Sequence, residues 1–276
     1  MPQPTSSETA RMTSPDLSSA LSRLRAAAPL VHNITNQVVA NITANALLAI
    51  GASPAMVLAE EEVGEFTPKA AALVVNLGTL TAPQRASMHV ATEAAIEAGI
   101  PWILDPVAVG ATAFRLGTAH SLLERGPSVI RGNASEILAL AGEVAGGKGV
   151  DSAHRAEAAR EAARRLARRS GSVVAVTGAT DYVTDGTGML AIANGHPLLT
   201  RITGTGCTAT ALIGAFLGAG LDGMAAATAG LAVLGVAAEE AAQRATAPGS
   251  FQVALLDSLY TLGDAALARQ ARVSAA

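Results

Sequence analysis

"ALVVNLGTLTAPQRASMHVATEAAIEAGIPWILDP", residues 72–106, is the stretch on which the fold turns. Ala72–Asn76 is an apolar run of strand length, Thr81–Ile100 reads as a helix, and Trp102–Asp105 is a second strand ended by Pro106. The theme recurs at "PSVIRGN" (127–133) and "SVVAVTG" (172–178). Upstream, "PLVHNITN" (29–36) predicts a strand through Leu30–His32 and a helix starting near Asn36, a good N-cap. Val38, Val39, Ile42, Ala46, Leu47 and Ile50 then recur at helical spacing, with Gly51 as the stop. "AMVL" (55–58) is a further strand-length run. Strands alternating with helices of about ten to fifteen residues imply an α/β protein, with a mostly parallel sheet covered by helices on both faces. "DYVTDG" (181–186) and "GMLAIANG" (188–195) instead read as a hairpin forming an antiparallel edge. Helices near 205–219, 222–244 and 250–269 finish the chain. The Pro-, Ser- and Thr-containing residues 1–20 read as a mobile tail, leaving one domain over 21–270.

Half of the 276 residues are hydrophobic and only 15% are charged, with a mean hydropathy of +0.37. Insertion into a membrane needs roughly 20 consecutive apolar residues. The best run, Met224–Ala238, is shorter, carries Thr228, Gly230 and Gly235, and ends at Glu239 and Glu240, so it reads as a core helix. With only 3% aromatic residues, packing must rely on Ala, Val, Leu and Gly. A net charge of −3 and a pI near 6.0 argue against a nucleic-acid surface. The basic run at 154–170 alternates Glu157 and Glu161 with Arg160, Arg164 and Arg165, which is helical ion-pair spacing on a solvated face. A single cysteine excludes an internal disulfide and any multi-cysteine zinc cluster. The N-terminus has no apolar signal core, so a cytoplasmic protein is expected and the sequons at Asn33, Asn41 and Asn133 read as chance.

In open parallel sheets, ligands bind beyond the carboxyl ends of the strands. There lie Asn76 and Gly78, Asp105, Arg131 and Asn133, and Thr177 and Gly178. "GTGC" (204–207) opens a long apolar helix, and such a start presents unpaired amides and a positive dipole end to an anion or a developing phosphoryl charge. Gly204, Thr205 and Gly206 are the candidate anion hole. Four roles are open to Cys207: nucleophile, proton acceptor, metal ligand, or a small residue that fits. The lack of partner cysteines and of a matching histidine weakens the ligand and nucleophile readings. "GEVAGGKG" (142–149) copies the first part of a P-loop, but Gly149 stands where Ser or Thr should ligate Mg²⁺, and the stretch follows a helix. It reads as a loop before a helix capped near Asp151. Asn133 and Glu136 fit a capping box, and Glu136 can also hold Mg²⁺ through water while Arg131 pairs with phosphate. Asp105 before Pro106 is either a turn residue or a second Mg²⁺ partner. The five histidines lack metal spacing, and His196 in "NGHP" reads as a turn residue.

"VHNITNQVVANITANALLAIGASPAMV", "DPVAVGATAFR", "VIRGNASEI", "GVDS", "AVTGATDYVTDG", "NGHPLL" and "TGTGCTATALIGAF" together resemble the hydroxyethylthiazole kinases of the ribokinase-like superfamily, over roughly residues 20–265. The resemblance implies a single-domain three-layer sandwich and ATP-dependent phosphorylation of 4-methyl-5-(2-hydroxyethyl)thiazole for thiamine diphosphate synthesis, with ATP as co-substrate and Mg²⁺ as cofactor. It implies a homotrimer with the thiazole site between subunits. Met56 and Gly204 match substrate-binding positions, Arg131 and Thr177 ATP-binding positions, and Asp105 and Glu136 the acidic residues associated with Mg²⁺. Cys207 falls where many sugar kinases of the superfamily carry an Asp base. A helix N-terminus would lower the pKa of this thiol and a nearby phosphate would oppose the thiolate, and the two effects stay unresolved at this level. The alternatives are a hydroxymethylpyrimidine kinase, a cysteine hydrolase and a non-catalytic nucleotide-binding regulator.

Overall fold

Residues 72–76 and 102–105 form the adjacent parallel strands that their apolar runs predict, pairing from Leu73↔Trp102 to Asn76↔Asp105. The computed structural model describes residues 16–143 and 152–276. Most of "GEVAGGKG", the cap expected at Asp151 and residues 1–15 of the N-terminal segment lie outside them. In chain order, α1 (Ala20–Ala27), β1 (Leu30–Ile34), α2 (Ala40–Ile50) and β2 (Ser53–Ala55) precede α3 (Glu60–Phe66) and β3 (Ala72–Asn76). Next come α4 (Ala82–Glu97), β4 (Trp102–Asp105), α5 (Ala113–Leu123), β5 (Val129–Asn133), α6 (Ala134–Ala141) and α7 (Ser152–Ser170). The strands β6 (Val173–Thr177), β7 (Asp181–Thr184) and β8 (Met189–Ile192) follow. The chain continues with α8 (Thr205–Gly218), α9 (Gly223–Ala242), α10 (Pro248–Thr261), α11 (Asp264–Gln270) and β9 (Val273–Ala275).

The nine strands make one sheet in the order β2-β1-β3-β4-β5-β6-β7-β8-β9. The first six are parallel and the last three antiparallel, with the expected hairpin joining β7 to β8. Side chains alternate across this sheet. Val31, Val74, Ile103, Val129 and Ala175 face a core shared with α1, α2 and α8 to α11, while Leu73, Val75, Leu104, Ile130 and Val174 face a second core under α3 to α7. The α/β three-layer arrangement is therefore two cores on one sheet. Helix α9 is long and apolar enough to cross a membrane, yet 78% of its apolar window is buried inside the protein, as a core helix requires. On α7, Glu157–Arg160 and Glu161–Arg164 pair at 2.9 and 2.6 Å, and Arg165 reaches Glu143.

Several local expectations are corrected. No helix starts at Asn36: its Oδ1 accepts from Val38 N at 3.1 Å, as a cap would, but residues 37–39 form a turn and α2 begins only at Ala40. Gly51 does end α2, in the left-handed conformation. "AMVL" is not a strand, since pairing to β1 stops at His32↔Ala55 and the Val57 carbonyl accepts from His32 Nε2 at 2.9 Å instead. The helix expected over 250–269 is two helices. Leu262 and Gly263 are extended, and Asp264 then accepts hydrogen bonds from the Leu21 and Ser22 amides of α1 at 2.8 and 3.0 Å. Leu17 is buried in the first core. The closing strand β9, three residues long and largely exposed, carries no sequence signal.

Candidate active site

The carboxyl ends of β1, β3, β4, β5 and β6 form one rim, and the start of α8 lies across its middle. Gly204 precedes α8 with φ +86, and a Cβ there would lie 2.7 Å from Val39, so both conformation and space demand glycine. At Gly206 a Cβ would lie 2.7 Å from Arg131 Nη1, which brings the guanidinium flush against the first turn of the helix. Arg131 is nearly buried. Its Nη2 donates to Thr177 Oγ1 at 2.5 Å, and its Nη1 stands 4.0 Å from Asp105 Oδ1.

Asp105 is fully buried. Its Oδ2 accepts from Asn76 Nδ2 at 2.7 Å and Thr210 Oγ1 at 2.8 Å, while Oδ1 has no hydrogen-bond partner. Burial pushes its carboxyl up to about 6, with Arg131 opposing the rise and Glu136 adding to it. Cys207 Sγ accepts from Asn76 Nδ2 at 3.2 Å and Asn36 Nδ2 at 3.6 Å. Asn36 Nδ2 also donates to Asn76 Oδ1 at 2.9 Å. Burial, then the Asp105 charge, push this thiol up to about 11 despite the two amide donors and Arg131. The effect of the helix start is overridden, and the resting group is a thiol. Asn76 stands at a strand end where the sequence places the site, but no spacing in the sequence links it, Asn36 or Thr210 to Cys207 and Asp105.

Glu136 and Asn133 form the capping box their spacing predicts, with Asn133 N donating to Glu136 Oε2 at 2.8 Å and Glu136 N to Asn133 Oδ1 at 3.0 Å. Glu136 Oε1 accepts from Ala108 N at 2.9 Å and so holds Ala108 at φ +54, a left-handed conformation that non-glycine residues seldom adopt. His196 caps a short helical turn at Pro197–Arg201, accepting from Leu198 N through Nδ1.

A cavity of about 640 Å³ opens beside this cluster. One end is polar, walled by Arg131, Thr177, Gly178, Asp181, Thr205 and Gly206. The other is mostly apolar, walled by Asn194–Pro197, Leu199, Leu231, Leu234 and Gly235. Asp181, missed in the sequence, accepts from Gly178 N at 2.9 Å, and burial raises its carboxyl to about 6. Of the sequence-predicted residues, Arg131, Thr177, Thr205 and Gly206 meet in the polar end, with Asp105, Gly204 and Cys207 adjoining. Met56 stands apart, half-buried just past β2 at the sheet edge, and is not part of the cavity wall.

A sequence model of the hydroxyethylthiazole kinase family matches residues 21–265. The chain belongs to that family. The hydroxyethylthiazole kinase of Granulibacter bethesdensis is 60% identical over 91% of this chain and 92% of its own length. A solved structure of hydroxyethylthiazole kinase protein from Pyrococcus horikoshii superposes with a TM-score of 0.87 at 47% identity, covering 94% of this chain and 98% of that one. A ribokinase-like superfamily protein from Enterococcus faecalis shares the fold at TM-score 0.64 and 13% identity, covering 87% and 89% of the two chains. The three-layer sandwich is therefore ribokinase-like, and the hydroxyethylthiazole kinase family places the chain among the kinases.

Proposed function

We propose that this chain transfers the γ-phosphoryl group of ATP to the hydroxyl of 4-methyl-5-(2-hydroxyethyl)thiazole, supplying thiazole phosphate for thiamine diphosphate biosynthesis or salvage. The observation that carries this reading is the contact of Arg131 with Gly206 at the head of α8, one residue before Cys207. Phosphoryl transfer needs positioning and charge neutralisation more than covalent chemistry. Amides of Gly204, Thr205 and Gly206 receive the migrating group, Arg131 and Thr177 hold the ATP phosphates, and the apolar end of the cavity takes the base. Removing one such donor typically costs a factor of about 10² to 10³ in kcat. Cys207, fixed by two amides beside the hole, is the acceptor for the alcohol proton in this account.

The acidic residues fit Mg²⁺. Asp105 Oδ1 is buried without a hydrogen-bond partner, with only the Arg131 guanidinium 4.0 Å away, whereas both Glu136 oxygens take backbone amides, so Asp105 and Glu136 suit an ion held largely by water and phosphate. Mg²⁺ bound there would offset charge on the ATP phosphates. Among the described residues no set of three acidic, cysteine or histidine side chains would cage an ion alone.

Met56 at the sheet edge supports a thiazole site completed between subunits of a homotrimer. Val38 and Leu48, with Val253 and Tyr260 on the packed helix α10, leave an apolar face exposed near that edge. The proposed enzyme is one kinase domain over residues 21–270 acting in the cytoplasm, without membrane or nucleic-acid partners. The test is mass spectrometry of the thiazole alcohol after incubation with protein and Mg-ATP. The expected product carries one added phosphoryl group, and an unmodified alcohol beside consumed ATP would refute the assignment.

A further inference from the structure

The apolar end of the cavity is walled by Asn194 and Gly195, and neither is held there by the β7–β8 hairpin that precedes them. Gly195 N donates to Glu239 Oε1 at 2.8 Å, and Asn194 Nδ2 donates to Glu239 Oε2 at 3.2 Å and to the Gln270 carbonyl at 3.0 Å. Arg272 closes the arrangement. Its guanidinium donates to both Glu239 oxygens at 2.5 and 3.0 Å and to the Ala193 carbonyl at 2.6 Å, while its backbone N donates to Asn194 Oδ1 at 2.6 Å. Helix α9 comes so close at Gly235 that a Cβ there would lie 2.6 Å from Asn194. Every polar atom of the Asn194 side chain is thus committed to α9 or to the C-terminal segment. That segment lies beyond residue 265, where the family match ends.

We propose that Arg272 and Glu239 are positioning residues for nucleotide binding: together they latch the Asn194–Gly195 wall against which the base of ATP packs. The inference rests on the reading that the cavity holds a nucleotide with its phosphates at Arg131. The latch touches the base end only, so its loss should weaken binding of a whole nucleotide and spare binding of bare phosphates. Small displacements of a binding wall carry large factors in affinity.

The test is calorimetric titration of the full chain and its Arg272→Ala, Arg272→Lys and Glu239→Gln variants with Mg-ADP and, separately, with Mg-tripolyphosphate. The expected result is an ADP Kd raised at least about tenfold in Arg272→Ala and Glu239→Gln, with partial recovery in Arg272→Lys and a tripolyphosphate Kd within about twofold of the parent. Unchanged ADP binding in Arg272→Ala, or an equal loss of both ligands, would overturn the latch. If Arg272→Ala does not fold, Glu239→Gln carries the same two outcomes. A parent chain that binds neither ligand would overturn the nucleotide reading itself.

Discussion

At Cys207 two effects oppose each other. The first turn of α8 favours a thiolate. Burial and the neighbouring Asp105 disfavour it and prevail, holding the thiol up at about 11. At pH 7 only roughly one molecule in ten thousand then carries the thiolate. If Cys207 accepts the alcohol proton, log kcat should rise with unit slope from pH 7 towards 10, and that slope should vanish in Cys207→Ala along with most of kcat. A flat profile, or an alanine variant with undiminished kcat, would remove the thiol from proton transfer. Cys207→Asp should retain activity, because a carboxylate ionises far more readily than this thiol. Asp105 invites a different measurement. Its folded pKa, about 6, is above its ordinary value, so between the two the native protein binds a proton that the unfolded chain does not. Its contribution to stability therefore falls as pH rises through that window and stays lost above it. Arg131, 4.0 Å away, offsets this only in part. We expect Asp105→Asn to raise the unfolding free energy at pH 7 by about 1–2 kcal/mol in urea melts, with the gain shrinking towards pH 4. A variant less stable than the parent at pH 7 would show that the Arg131 contact outweighs the burial.

Among the elements, the first turn of α8 carries the greatest functional load. Gly206→Ala would drive a methyl into Arg131, so the guanidinium must move from its place beside Thr177. The expected outcome is a kcat/KM for ATP lower by about a hundredfold with secondary structure intact by circular dichroism; an unchanged kcat/KM would mean Arg131 has no role in transfer. This turn was legible in the sequence because two glycines open a long apolar helix, where unpaired amides and the dipole end favour an anion, and the βαβ repeats were legible because their strands are short apolar runs broken by Asp105-Pro106 and Thr177-Gly178. Elements whose ends are set by side chains from elsewhere were not. Asn36 Oδ1 does take the Val38 amide, but its Nδ2 ties the side chain to Asn76 and Cys207, residues 37–39 stay a turn and α2 starts later. The strand at "AMVL" yields to a histidine bond with Val57. The end of α10 depends on Arg25, whose Nη2 reaches the Tyr260 and Leu262 carbonyls from α1 at 3.1 and 2.9 Å. Such contacts between residues distant in the chain leave no local pattern to read.

For the whole molecule, the sheet separates two tasks. The cavity lies towards its antiparallel half, α8 packs over β1, β3 and β4, and Met56 and the exposed Val38, Leu48, Val253 and Tyr260 belong to its β2 side. A trimer burying that side should show in light scattering as three times the 27.5 kDa chain. Tyr260→Glu, placing a charge on a residue 71% exposed in the single chain, should shift the mass towards the monomer and raise the KM for the alcohol; a monomeric parent would refute the shared site. The most direct test of the central claim is the ratio of kcat/KM, under one Mg-ATP condition, for the thiazole alcohol and for the hydroxymethylpyrimidine alcohol. The account predicts a preference for the thiazole of at least about a hundredfold, and comparable rates or a preference for the pyrimidine would contradict it.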